Sequence, residues 1–346
     1  MSFNISGRDI GPEFEPVVIA EIGINHEGSL SVAKELVTAA ILAGAEVIKH
    51  QTHIPDEEMS EEAKYAIPGN TDVSIYDVIK RCSLTLDEER ELAQFVRKSG
   101  AIYLSTPFSF AALEFLESIE VPAYKIGSGE CNNYPLVRAI ASKGKPIIMS
   151  TGMNSLESIQ PSVEIMRDAG VPFALLHCTN LYPTPAKLIR LNSILELSKA
   201  FPDAVLGLSD HSESNYPCLA AVGFGASILE RHFTDSKERP GPDIVCSMTP
   251  AELKELIEGS KIIFSATQGK KFPVHEEDVT IAFAFASVVA TRLLKKGTRV
   301  TREDITMKRP NGGDFGPRDF ESLIGAEVLT DIVPNHQIPR TSLKFN

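Results

Sequence analysis

No CxxC pair occurs among the five cysteines, Cys82, Cys131, Cys178, Cys218 and Cys246, and their number is odd. That pattern excludes a disulfide framework or a cysteine-rich zinc site, and it reads as reduced, mostly buried thiols in a cytoplasmic protein. No stretch approaches the roughly 20 consecutive apolar residues of a membrane span. The opening MSFNISGRDIGPEFEP lacks the basic region and apolar run of a signal peptide. Long basic stripes are also missing, and the net charge is −12. A nucleic-acid partner is therefore not expected, because no array of cations is present to release phosphate counterions. A small phosphorylated ligand stays open. Bulk charge is screened over about 8 Å, and one lysine about 4 Å from a phosphate gains roughly 4 kcal/mol at an effective dielectric near 20.

The 346 residues, 43% hydrophobic and 23% charged, have the balance of an ordinary globular protein. Short apolar runs alternate with amphipathic segments from residue 17 to 234. Eight of them read as strands: VVIAEIG (17–23), AEVIKHQT (45–52), AIYLSTP (101–107), AYKIGSG (123–129), PIIMSTG (146–152), FALLHCTN (173–180), VLGLSDHS (205–212) and SILERHFT (227–234). Helical periodicity covers 29–43 and 86–99, with start signals at Thr85–Glu88, Asn154–Glu157 and Thr249–Glu252. This is the pattern of an α/β (β/α)8 TIM barrel. A doubly wound sheet would carry a GxGxxG turn after its first strand, and EIGINHEGSL lacks that spacing. The expected organisation is a barrel over 1–270, a linker over 271–282 and a small β-rich domain over 283–346. Residues 53–84 are too long for an ordinary connection and read as a lid or substrate loop.

Side chains at the carboxyl ends of barrel strands share one pocket. Nearly every strand expected here ends in a reactive or hydrogen-bonding residue: Glu21; Lys49 and Gln51; Thr106; Lys125, Ser128 and Glu130; Ser150; Asn180 and Tyr182; Ser209 and His211; His232. His211 and His232 lie one strand–helix unit apart, and neighbouring strands are about 4.8 Å apart, so both imidazoles can reach one ion. Two nitrogen ligands leave positions for water and substrate, as a catalytic Lewis acid requires. The same spacing also fits two hydrogen-bonded histidines at a solvated rim. Lys49 and Lys125 end apolar runs, where an unpaired ammonium is costly. Either an anionic ligand or an ion pair, Lys49 with Glu21 or Lys125 with Glu130, meets that cost. Glu21 and Glu130 are candidates for proton transfer. His50 alternates with Lys49 and is expected to face outward; His26 and His53 lie on rim loops, and His275 and His336 look like surface residues.

Many of these residues sit in longer motifs. EIGINHEGS (21–29), IKHQTH (48–53), IPGN (67–70), STPFS (105–109), YKIGSGECNNYPL (124–136), STGMNS (150–155), HCTNLYPTP (177–185), GLSDHS (207–212), ERHFTD (230–235), GPDIVCSM (241–248), FAFASVVA (283–290) and KRPNGGD (308–314) resemble the bacterial sialic acid synthase (N-acetylneuraminate synthase) family. The tail resembles that family's antifreeze-like (SAF) domain. The resemblance implies a metal-dependent condensation of phosphoenolpyruvate with N-acetylmannosamine to N-acetylneuraminate and phosphate. It implies manganese, with magnesium or cobalt as alternatives, on His211 and His232. Phosphoenolpyruvate would be held by Lys49, Thr106, Lys125, Ser128, Ser150, Asn180 and Ser209. The sugar would meet Glu21, Gln51, Glu130, Tyr182, Asp243 and Phe283, and Arg309 would arrive from the partner of a homodimer with exchanged C-terminal domains. Glu130, then Glu21, would handle protons, while Lys49 and Lys125 stabilise charge. Phe110, where the family often has arginine, and Pro334-Asn335 depart from the pattern. Rival readings are a sister synthase making a legionaminic- or pseudaminic-type acid, a Schiff-base aldolase using a strand-end lysine, and a carbohydrate- or ice-binding protein.

Overall fold

The computed structural model describes residues 2–67 and 72–345, in two compact units, 1–268 and 269–346. The first opens with a hairpin of β1 (Phe3–Ile5) and β2 (Arg8–Ile10). Ser6 (φ 48°) and Gly7 (φ 90°) form its two-residue turn, with the positive φ values that match strand twist. Eight strands follow: β3 (Val17–Gly23), β4 (Val47–Thr52), β5 (Ile102–Pro107), β6 (Tyr124–Ile126), β7 (Ile147–Ser150), β8 (Phe173–Cys178), β9 (Val205–Asp210) and β10 (Ile228–His232). They pair in parallel in the order β5-β4-β3-β10-β9-β8-β7-β6, so the sheet curls into a nearly closed barrel.

Strand alternation splits each sequence between two environments. Val18, Ala20 and Ile22 of β3 pack outward beneath the helices. Val17 and Ile19 point inward and join Val47, Leu104, Ile148, Ala174, Leu176, Val205 and Ile228 in the lower interior. Phe3, Ile5 and Ile10 of the hairpin complete that cluster and plug the amino-terminal end. Nothing was expected before residue 17, because three-residue strands are too short to show a period. Gly207 is obligatory in this layer: a Cβ there would overlap Leu176 and lie 2.5 Å from the Ile228 carbonyl oxygen. Continuing up the same inward rows, apolar residues give way to Glu21, Lys49, Thr106, Lys125, Ser150, Cys178, Ser209 and Glu230. The barrel thus has a dry floor and a polar mouth.

The helices start where side-chain caps satisfy their free N–H groups. Ser29 caps Leu30–Leu42, while Thr85–Glu88 and Thr249–Glu252 form reciprocal boxes before Leu86–Lys98 and Pro250–Ala266. The start signal at Asn154–Glu157 is displaced by one residue. Ser155 is the cap, reciprocated by Ser158, because the Asn154 amide donates instead to the Ser128 and Gly152 carbonyls at the barrel mouth. The long 53–84 segment carries helices Pro55–Glu58 and Ile75–Cys82 and the 3-10 turn Glu61–Lys64. Residues 68–70 of IPGN lie outside the described residues.

The second unit pairs β11 (Ser287–Ala290) with β12 (Ile305–Lys308), and β13 (Glu327–Val328) with β14 (Leu343–Lys344), both antiparallel. Val288, Leu294, Ile305, Phe315, Val328 and Ile338 lie in its small core. Where a linker was expected, at 271–282, the chain forms the 3-10 turn His275–Glu277 and most of the helix Asp278–Ala284. Among the described residues no helix is long and apolar enough to cross a membrane, and the five cysteines are free and buried.

Candidate active site

The polar mouth encloses a cavity of about 170 Å³. Thirteen of the residues singled out from sequence line it: Glu21, Lys49, Gln51, Thr106, Lys125, Ser128, Glu130, Ser150, Asn180, Tyr182, Ser209, His211 and His232. Asp243 stands behind them, its carboxylate 3.7 Å from His232 Nδ1. Phe283 and Arg309 belong to the second unit, and both side chains are exposed. Phe110 opens the helix Phe110–Ser118 and is more than half exposed, outside the cavity lining.

The two ammonium groups sit among acceptors. Lys125 Nζ donates to Ser150 Oγ at 2.7 Å and to the Ile126 carbonyl at 3.1 Å. Its carboxylate neighbour is Glu230, at 3.5 Å. The alternative pairing of Lys125 with Glu130 is therefore corrected: Glu230 is an inward residue of β10, on the barrel interior with Lys125, whereas Glu130 lies in the loop beyond β6. Lys49 pairs with Glu21 and reaches Thr106 Oγ1 at 3.4 Å. Burial, reinforced by the charge of Lys125, lowers the Lys49 pKa to about 8. For Glu230 burial opposes ionisation, but Lys125 and Lys49 outweigh it and hold the group below its usual value, with Ser209 Oγ donating at 3.0 Å. For Glu130 burial wins over a backbone hydrogen bond and the weaker pull of the same two lysines, and raises it to about 7.

His211 and His232 face each other with ring centroids 5.4 Å apart, and Tyr182 packs 4.1 Å from the first. Burial lowers the pKa of His211 to about 4, with His232 adding to the effect; burial and then Lys49 lower that of His232 to about 3. Both rings are neutral at physiological pH. His211 Nδ1 lies 3.1 Å from the Thr179 carbonyl; a proton donated there leaves the Nε2 lone pair free, the tautomer that ligating histidines adopt. The buried Nδ1 of His232 has no hydrogen-bond partner. Two neutral imidazoles, one with an orphaned nitrogen, fit a divalent cation with open coordination positions. No cluster of three or more His, Cys, Asp or Glu side chains suited to a metal occurs among the described residues, so remaining ligands would be solvent or substrate oxygens.

The other histidines sort differently. His50 does point away from the barrel interior, yet it is buried under the helices, 3.3 Å from Glu89 and stacked on His26. His26 is buried against it and is not part of the cavity lining. His53 bridges Gln51 and Glu58 and stacks on Phe108 at 4.2 Å. His177 contacts the Ile189 carbonyl, while His275 and His336 are exposed. Five lining residues are not among those expected from sequence: Glu230, Cys178, Phe108 and the two glycines Gly127 and Gly129. Glu230 and Cys178 each occupy an inward position on their strand, so alternation could have found them. Phe108 lies just beyond the end of β5, where strand alternation no longer applies, and is reached only through the motif STPFS.

Residues 36–271 match the NeuB family, and residues 285–343 match the SAF domain. The chain belongs to the NeuB family. Among relatives of this NeuB chain, N,N'-diacetyllegionaminic acid synthase of Campylobacter jejuni is 34% identical, covering 89% of this chain and 94% of the relative. The human N-acetylneuraminate-9-phosphate synthase is 30% identical, covering 94% and 92%. The crystal structure of the N-acetylneuraminic acid synthetase of Leptospira borgpetersenii in complex with citrate superposes with a TM-score of 0.75 at 29% identity, over 81% of this chain and 95% of that one.

Proposed function

We propose that this NeuB-family chain condenses phosphoenolpyruvate with N-acetylmannosamine, giving N-acetylneuraminate and inorganic phosphate. The observation that carries the reading is the pair of buried ammonium groups, Lys49 and Lys125, at the mouth of one cavity among the hydroxyls of Thr106, Ser128, Ser150 and Ser209. Phosphoenolpyruvate brings a phosphate and a carboxylate, and both find preorganised donors there. Its methylene carbon forms the new bond to the aldehyde carbon of the open-chain sugar, whose oxygen takes up a proton. Water adds at the resulting cationic carbon and loses a proton; the C–O bond to phosphate then breaks as the new hydroxyl gives its remaining proton to the departing phosphate, and the keto acid remains. Glu130, and after it Glu21, is assigned to take the proton from that water, a role that the raised pKa of Glu130 supports. A divalent ion, manganese or alternatively magnesium or cobalt, would be held by His211 and His232 and would supply Lewis-acid polarisation of a carbonyl oxygen. On the family resemblance, exposed Phe283 is assigned to sugar binding, and exposed Arg309 to the sugar side of a partner subunit's site in a homodimer with exchanged C-terminal domains. Sedimentation of the full chain reads that assembly.

A second sugar is favoured by a specific comparison. The legionaminic acid synthases of Campylobacter and Legionella are 34% and 33% identical to this chain, against 30% for the human enzyme. Phosphate release from phosphoenolpyruvate and manganese, measured across a panel of acetamido sugars, decides between N-acetylmannosamine and a diacetamido hexose. No release with any sugar would sink the synthase reading.

Two results are expected around the cavity. The rate kcat/KM should rise with pH through about 7 as Glu130 loses its proton to become a base, and Glu130→Gln should abolish that rising arm. Gly152→Ala should lower kcat/KM for phosphoenolpyruvate on the order of 10²-fold, because the added methyl would overlap Asn180 Oδ1 and crowd Ser128 Oγ. Thermal melting should change little in the same variant, since the displaced atom is the end of a side chain at the cavity edge.

A further inference from the structure

The two imidazoles are held by more than their own strands. Arg231, which precedes His232, is among the largest fully buried side chains of the molecule. Strand alternation turns it away from the interior, as it does its register partner Asp210, the residue before His211. Its Nη1 donates to Asn215 Oδ1 at 2.6 Å. Its Nη2 donates to the Ser212 carbonyl at 2.6 Å and, at 3.4 Å, to that of Cys246. Nε lies 3.5 Å from the Asp210 carboxylate. Asp210 accepts from both the backbone N–H and the hydroxyl of Ser212. Asn215 is anchored in turn, donating to the Glu252 carbonyl and to Glu255, both at 2.7 Å.

The consequence is geometric. His211 lies between Asp210 and Ser212, and both neighbours are tied to one guanidinium. His232 is covalently next to that guanidinium. The Cys246 carbonyl belongs to the 243–247 segment, whose Asp243 faces His232. One planar fork thus joins three separate pieces of backbone that carry the groups around the cation position. Lysine, with a single point of charge on a flexible stem, has no equivalent of this fork.

We propose that Arg231 is a positioning residue that sets the separation of His211 and His232, and through it the affinity of the pair for a divalent cation. The inference rests on the reading of that pair as metal ligands. The test uses the full chain and manganese alone, with free Mn²⁺ counted by electron paramagnetic resonance and folding followed by circular dichroism. Arg231→Lys is expected to stay folded and to weaken Mn²⁺ binding by roughly 10- to 100-fold, the range for residues that orient metal ligands. The double variant Arg231→Met with Asp210→Asn, which removes both charges together, should do the same. Asn215→Ala leaves the buried charges paired and loses one arm of the fork, so it should fold in any case and lose several-fold in affinity, by the same relation. Folded variants that melt at lower temperature but bind Mn²⁺ as tightly as the parent would overturn the proposal and leave the metal reading intact. A parent chain that binds no Mn²⁺ would overturn the metal reading, and this inference with it.

Discussion

Lys125→Met is expected to lower kcat/KM for phosphoenolpyruvate by roughly 10²- to 10³-fold, the loss that follows removal of one preorganised donor to developing charge. The ammonium is almost fully buried and already fixed by Ser150 Oγ and the Ile126 carbonyl. It therefore needs no reorganisation when an anion arrives, and water that enters in its place cannot supply a full positive charge. The same change exposes a second effect. Glu230 would lose the first of the two cations that keep it ionised, and breaking a buried pair from one side costs about 3–5 kcal/mol. A simple loss of activity could then be mistaken for unfolding. Lys125→Met combined with Glu230→Gln separates the two: melting should recover toward the parent value, while kcat/KM stays low. Recovery of both quantities would mean that Lys125 serves only to balance Glu230.

The second large effect concerns the histidine pair. Chelation of divalent ions should abolish activity, and adding manganese should restore the parent enzyme but not His211→Ala. The expected loss is on the order of 10³-fold, since several kcal/mol of charge stabilisation is typical of a Lewis-acid ion and each factor of ten corresponds to about 1.4 kcal/mol. His211 is the sharper test of the pair. Its ring is oriented by the Thr179 carbonyl, and with alanine in its place that carbonyl still accepts from the Leu181 N–H and the Thr184 hydroxyl, so no buried acceptor is orphaned. The outcome that would refute the metal reading is full activity after exhaustive chelation. Borohydride trapping of a covalent adduct with a keto acid would in that case move the chemistry to Lys49 or Lys125.

Much of this site was legible because a β-strand repeats every two residues. Once β4 was recognised in VIKHQT, Lys49 and Gln51 had to share a face with Val47, and His50 had to take the other. The same counting carried Ser209 to His211. What the counting missed is instructive. Opposite faces were distinguishable, but not what lies against each: His50 was assigned outward correctly, yet the environment there is a buried layer with Glu89 and His26. Lys125 was paired with Glu130 as one alternative because they are close in the chain. The actual partner, Glu230, is more than a hundred residues away and adjacent only because the sheet closes on itself. The hairpin before residue 17 escaped for a related reason. Its three apolar residues form no periodic pattern, and they acquire a role only when a barrel exists for them to plug.

Local rules in the chain alone determined the strands, most helix starts and the row of polar residues at the strand ends, since alternation and capping depend on neighbours a few positions apart. The family motifs added the names of the groups those residues would meet. Only the tertiary structure decided which charges neutralise one another, which imidazole nitrogen is left without a partner, and which residues hold the histidines at their separation. Those outcomes depend on burial and on distances between strands far apart in sequence, and neither quantity exists until the barrel has formed.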